Sequence, residues 1–164
     1  MRLSRPGGRE RPPIEVGAGE RLLAWATTAQ GPVGGTRDAL YLPDARVPWE
    51  RVQATDWDRE TSVLRVSEVG SWGAVRPEHV LDVEEPGRLL ELVRERVTAS
   101  VVLQRHVPLE GRRGVRVIAR RAPRGDRPVE WLYEYDEGID PDDPAVRFEA
   151  ERTLAAARDE LGPA

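Results

Sequence analysis

Short apolar runs alternate with turn residues in the first half of the chain. The runs are Glu20–Thr28, Val33–Thr36, Ala39–Leu42, Val47–Trp57 and Ser62–Val66. Glycine, proline and aspartate separate them at the intervals of hairpins, and short runs with recurring breakers are typical of strands rather than helices. With a further strand at Glu78–Val83, the pattern predicts an antiparallel meander over residues 20–83.

Two later segments have the periodicity of amphipathic helices. Residues 86–100 open with Pro86, which is preorganised for the first helical turn, and then repeat apolar positions every fourth residue. Residues 144–161 begin with Pro144 and follow the acidic residue Asp143. This pair favours the start of a helix. The sequence therefore predicts an internal helix and a C-terminal helix.

Residues 101–136 between the two helices have the pattern of three strands. Placing Val117 opposite Tyr133 gives the last two strands one apolar face. The same register opposes charges on the other face: Arg116 with Glu134 and Arg120 with Glu130. Cross-strand pairs of opposite charge stabilise a sheet by roughly 0.2–1 kcal/mol each. Two arginines are therefore predicted to be neutralised within the hairpin.

These elements predict an α+β protein with an antiparallel, curved sheet or partial barrel. One domain is expected over residues 20–162, since 164 residues suffice for one sizeable core. Residues 1–19 contain four arginines and several prolines and glycines but no apolar stretch, a composition that predicts a flexible basic tail and excludes a secretory signal.

One part of the meander carries a family resemblance. Gly35-Thr36-Arg37-Asp38-Ala39-Leu40-Tyr41-Leu42 is followed by Arg46-Val47-Pro48-Trp49-Glu50-Arg51-Val52, then by Trp57 and Leu64-Arg65-Val66. This series resembles the opening of bacterial pleckstrin-homology-like domains, and the whole chain is most similar to proteins of this class from high-GC actinobacteria. The resemblance implies a pleckstrin-homology-like sheet plugged at one end by the C-terminal helix. The family's lipid-binding members carry basic residues around the first hairpin, whereas residues 29–35 are uncharged, which disfavours lipid headgroup binding.

Composition narrows the classes of function. The net charge of −4 disfavours a protein built mainly to bind nucleic acid, which needs a positive field. The chain contains no cysteine, which excludes thiol catalysis and cysteine metal sites. No run approaches the ~20 apolar residues of a membrane span. A cytoplasmic location is expected by elimination.

No catalytic, cofactor or metal constellation is predicted. His79 and His106 are far apart and lie in no ligand-spaced motif. The acidic run 136–143 does not fit the spacing of an EF-hand loop and is interpreted as a helix-capping loop. The serines lack a nucleophile-elbow context.

Two features remain as candidate partner-binding residues. Trp72 lies in a glycine-flanked turn, where tryptophan is a frequent binding anchor. The arginine stripe comprises Arg112, Arg113, Arg116, Arg120, Arg121, Arg124 and Arg127. With Arg116 and Arg120 assigned to the hairpin pairs, the candidates are the turn arginines Arg124 and Arg127, together with Arg112 and Arg113.

The leading hypothesis is a non-catalytic, cytoplasmic protein-interaction or scaffold module. The alternatives are nucleic-acid association through the arginines, and an enzyme or small-ligand pocket between the sheet and the internal helix. Open sheet edges also allow a homodimer. The interaction module is favoured because the meander carries no recognisable chemistry.

Overall fold

A computed structural model describes residues 11–70, 75–124 and 127–163. The chain divides into two compact units, with the boundary between Glu95 and Arg96. All contacts described below lie within one unit or the other.

The first unit contains two antiparallel sheets. The strands of the first sheet are β1 (Ala24–Thr28), β2 (Gly31–Gly35), β3 (Ala39–Tyr41) and β4 (Arg46–Pro48), paired in chain order. The strands of the second sheet are β5 (Val52–Asp58), β6 (Val63–Glu68) and β7 (Glu78–Asp82), also paired in chain order. Short connections join these strands, as the spacing of turn residues predicts. The antiparallel strands predicted over residues 20–83 are present, and they are divided between two sheets.

The apolar run from Val47 to Trp57, predicted as one strand, is interrupted in the structure. A 3-10 helix over Trp49–Arg51 separates β4 from β5. Pro48 ends the ladder because it has no N–H to donate. The indole N–H of Trp49 donates instead to the Thr36 carbonyl oxygen at 2.9 Å, and the Trp49 side chain is fully buried.

Part of the predicted flexible tail packs against the first sheet. The Gly17 N–H donates to the Tyr41 hydroxyl at 2.7 Å. The Ile14 side chain lies so close to Gly34 that a Cβ there would meet it at 2.9 Å. These contacts show that ordered structure begins before residue 20, and residues 1–10 lie outside the described part of the chain.

The internal helix, α1 (Leu89–Ser100), spans the boundary between the units. It starts three residues after the predicted Pro86, because Gly87 has a φ of 53°, in the left-handed region, which a continuing helix does not allow. Leu89 and Val93 are buried, as the four-residue repeat predicts.

The second unit contains one antiparallel sheet and the C-terminal helix. Its strands are β8 (Val101–Glu110), β9 (Arg113–Arg120) and β10 (Glu130–Tyr135), with β9 in the centre. The predicted register is confirmed, since Val117 pairs with Tyr133 and Arg116 with Glu134. Arg120 also lies opposite its predicted partner on β10.

The helix α2 (Pro144–Leu161) covers the apolar face of this sheet, contacting β8 and β9. Asp143 caps it by accepting from the Ala145 N–H at 2.8 Å. Val146, Ala150 and Ala157 are its buried residues. Both the helix and its cap agree with the sequence pattern.

The predicted α+β class, with antiparallel sheets, an internal helix and a C-terminal helix, is confirmed. The sheets of the described residues form no closed barrel. No helix in residues 11–70, 75–124 or 127–163 has both the length and the apolar character needed to cross a membrane. The single domain over residues 20–162 and the pleckstrin-homology-like class stay predictions.

Candidate anion-binding groove

A groove in the second unit brings together arginines from separate elements. It has a volume of about 550 Å³ and lies where β10 begins and α2 ends. Its lining residues are Arg121, Arg127, Pro128, Val129, Trp131, Arg158, Leu161, Gly162 and Pro163. This set is called the arginine groove below.

The three arginines reach the groove for different reasons. Arg121 follows the end of β9, where its backbone N–H donates to the Ser100 carbonyl oxygen at 2.9 Å. Arg127 lies in the segment that leads into β10, and Arg158 lies in the last turn of α2. All three residues are exposed. Their guanidinium groups are therefore hydrated.

Trp131 provides the aromatic wall of the groove. It lies on β10, on the same face as Tyr133 and Tyr135. The guanidinium carbon of Arg158 is 6.0 Å from the centre of its indole ring, a cation–π distance that holds the arginine over the ring. An ordered guanidinium loses less side-chain entropy on binding than a mobile one.

The described lining of the arginine groove is positively charged. None of its lining residues carries a carboxylate. Within the described part of the chain, no carboxylate forms an ion pair with Arg121, Arg127 or Arg158. Guanidinium groups bind carboxylates and phosphates through two parallel hydrogen bonds, so the groove is suited to an anion.

The four arginines predicted as partner-binding residues lie in different places in the second unit. Arg127 lines the groove, whereas Arg124 is exposed near it and has an interaction of its own. Arg112 and Arg113 lie at the β8–β9 turn, with Arg113 3.5 Å from the Glu110 carboxylate. The four candidates therefore do not form one surface.

Trp72, the other predicted partner-binding residue, lies outside the described residues. Its role as an exposed anchor stays a prediction.

Two members of the arginine stripe are engaged within the sheet. Arg116 pairs with Glu134 at 3.5 Å. Arg120 is buried, which lowers its pKa, and its Nη1 donates to the Ser100 hydroxyl at 3.0 Å. Arg120 lies opposite Glu130, as the predicted register requires, in a buried position.

Three groove residues are not among those predicted from the sequence: Arg121, Arg158 and Trp131. Arg158 belongs to the helix and looks like part of its solvated face, and Trp131 looks like a core residue of a strand. A partial signal exists in the helix, since Arg158 is the basic residue of its last turn. Only the packing of α2 on the sheet places Arg158 and Trp131 beside Arg127.

Both histidines lie beside carboxylates. His79 Nε2 is 2.8 Å from Glu68 Oε2 in the first unit. His106 Nε2 is 3.0 Å from Asp136 Oδ2 in the second unit. No group of three or more metal-ligating side chains is found among the residues that the structure describes.

A second groove, in the first unit, has a volume of about 590 Å³. It is lined by β1 residues 25–28, by Ala29 and by three carboxylates, Asp82, Glu84 and Glu85. The Asp82 side chain accepts from the Gln30 amide at 2.7 Å. This groove has the opposite charge and contains none of the predicted site residues.

Comparison with protein-family models, curated proteins and solved structures finds no match to the chain.

Proposed function

We propose that the chain is a non-catalytic interaction module that binds an acidic protein segment in the arginine groove. The observation that carries the proposal is the arginine groove itself: three exposed guanidinium groups and an indole around one cavity, with no carboxylate among the lining residues that the structure describes. The proposal also includes the cytoplasmic location and the pleckstrin-homology-like class expected from the sequence.

The size of the groove favours a short segment. A volume of about 550 Å³ falls in the range of ligand sites and accommodates a few side chains. Trp131 and the prolines provide apolar contact, while the arginines fix the orientation of carboxylates. Charge-assisted hydrogen bonds of this kind contribute about 1.5–3 kcal/mol each.

An acidic peptide is favoured over a nucleic acid. Nucleic-acid affinity grows with the number of phosphates neutralised along a continuous positive surface. Here the net charge is −4, Arg116 and Arg120 are engaged in the sheet, and Arg113 lies at a separate turn. Three arginines around one cavity suit a compact anionic segment better than a strand of phosphates.

The test compares two ligands of matched charge by fluorescence anisotropy: a labelled octaglutamate peptide and a labelled oligothymidylate. Arg127→Glu and Arg158→Glu are expected to weaken peptide binding at least tenfold. Arg94→Glu is the matched control, because Arg94 is an exposed arginine of α1 outside the groove. It should leave the affinity unchanged.

Three results would contradict the proposal. Peptide binding that all three variants weaken equally would reflect net charge and not the groove. An absence of peptide binding at low salt would remove the function. Stronger binding of the oligonucleotide, with a logarithmic salt slope of roughly −0.7 per phosphate, would support the nucleic-acid alternative.

A further inference from the structure

The second unit carries opposite charges at its two ends. Residues 136–143, which connect β10 to α2, are called the acidic loop. Its carboxylates are Asp136, Glu137, Asp140, Asp142 and Asp143. All except Asp136 belong to exposed residues. The arginine groove lies at the start of β10 and the end of α2, and the acidic loop lies at the opposite end of both elements.

The acidic loop cannot occupy the groove of its own chain. The helix between them has 18 residues, which at 1.5 Å per residue is a length of about 27 Å. Both ends are fixed, because Asp143 caps the helix and Arg158 contacts Trp131. Any contact between the two surfaces must therefore join different molecules.

The acidic loop keeps an excess of negative charge. Arg147 lies 3.6 Å from the Asp142 carboxylate, and Arg113 donates to the Glu137 carbonyl oxygen at 3.4 Å. His106 is the partner of Asp136. Two arginines against five carboxylates leave the loop anionic.

The acidic loop is also held in one conformation. The side chain of Ile139, within the loop, is buried. The backbone N–H of Ile139 donates to the carbonyl oxygen of Asp136 at 3.1 Å, and the backbone N–H of Asp143 donates to the carbonyl oxygen of Asp140 at 3.2 Å. A preorganised segment loses little entropy on binding, which suits a ligand for a small groove.

We infer that the occupant of the arginine groove is the acidic loop of a second copy of this chain. The inference rests on the proposed function and names its partner. The contact is heterologous, with the groove of one copy on the loop of the next. Repetition of such a contact adds copies head to tail and gives an open assembly unless the rotation closes a ring.

Sedimentation velocity over a range of concentrations at low salt tests the inference with two variants. The groove variant carries Arg127→Gln and Arg158→Gln, and the loop variant carries Glu137→Gln and Asp142→Asn, so that the two altered surfaces do not attract each other. The wild type is expected to form species larger than a dimer as its concentration rises. Each variant alone should remain monomeric.

Mixing the two variants is the decisive step. The groove variant keeps an intact loop and the loop variant an intact groove, so an equimolar mixture should give heterodimers and nothing larger. High salt should dissociate them, because the contacting charges are exposed. Glu91→Arg, on the exposed face of α1, is the control and should assemble like the wild type. Circular dichroism confirms that each variant is folded.

The failures are distinguishable. Octaglutamate binding without concentration-dependent assembly of the wild type would overturn the inference and keep the proposed function. Loss of both would overturn both. A dimer that persists in each variant alone would also overturn the inference, since it would require a different interface.

Discussion

Replacing Glu20 with glutamine tests how the first unit holds its polar core together. The Glu20 side chain is only 7% exposed. Its Oε1 accepts from the Thr36 hydroxyl at 2.7 Å, and its Oε2 accepts from the Tyr41 hydroxyl at 2.5 Å and from Arg46 Nη2 at 3.2 Å. One carboxylate therefore joins the segment before β1 to the β2–β3 turn and to strands β3 and β4.

The magnitude follows from the bonds lost. Glutamine retains one oxygen and so accepts from one of the two hydroxyl groups. The Tyr41 oxygen already accepts from Gly17 and Arg46, so it is a poor acceptor for the new amide. Losing one hydrogen bond to a charged acceptor costs about 1.5–3 kcal/mol. The exposed Arg46 pair adds less than about 1 kcal/mol. We expect Glu20→Gln to lower the free energy of unfolding by about 2–3 kcal/mol.

The pH dependence of this loss has a definite sign. Burial raises the pKa of Glu20, but the hydrogen bonds from Tyr41, Thr36 and Arg46, with the charge of Arg46, outweigh it and hold the pKa below its usual value. The unfolded chain then binds the proton more readily than the folded chain. The stabilisation is fully present above the unfolded pKa, about 4.3. It is lost as the pH falls through the lower, folded pKa.

Urea unfolding of both proteins from neutral pH to below pH 4, followed by tryptophan fluorescence and circular dichroism, measures this effect. The wild type and Glu20→Gln should differ most at neutral pH and converge in acid. Glu78→Gln is the control, since its pair with Arg65 is about half exposed, and its effect should stay below about 1 kcal/mol. A Glu20→Gln cost no larger than that of the control, or a gap that widens in acid, would refute the reasoning.

Three further predictions concern the cores and one surface carboxylate. Trp49→Phe should lower the free energy of unfolding by about 2–4 kcal/mol in urea titrations, because it leaves a cavity and removes the buried hydrogen bond to the Thr36 carbonyl. Gly114→Ala should lower the free energy of unfolding by more than about 3 kcal/mol, because the added Cβ would overlap the backbone of β8. Gly111→Ala has open space around it and should cost only about 1 kcal/mol, because of its positive φ. Equal shifts of the melting temperature in the two variants would contradict this prediction. Asp136 should titrate below its usual pKa in carbon-detected NMR, because the Gly114 N–H and a histidine on β8 donate to its carboxylate; a normal midpoint would contradict that geometry.

The strand order and the β9–β10 register could be predicted because they depend on local signals. Short apolar runs, turn residues and the alternation of Val117 and Arg116 each act within a few residues. The proline signal at Pro86 predicts an internal helix that starts three residues too early, because Gly87 adopts a left-handed conformation before the helix begins. This difference lies at a boundary, where the backbone geometry of one residue decides.

The polar core around Glu20 could not be predicted in this way. Its members come from the segment before β1, the β2–β3 turn and strands β3 and β4, and each looks like an ordinary polar residue of a strand or turn. The burial of Glu20 depends on Gly17, where a Cβ would collide with the carboxylate. Such a cluster exists only once the strands are paired.

The arginines show why composition alone does not locate a binding surface. Arg46 is paired with Glu20, Arg116 with Glu134, and Arg105 with Glu160 on α2. A guanidinium with an acceptor in its own fold must break that contact before it binds a partner. Those that line the arginine groove have no such carboxylate among the described residues, so their donors remain available. The high arginine content therefore has two physical roles, and the distinction depends on which carboxylates the fold has already brought within reach.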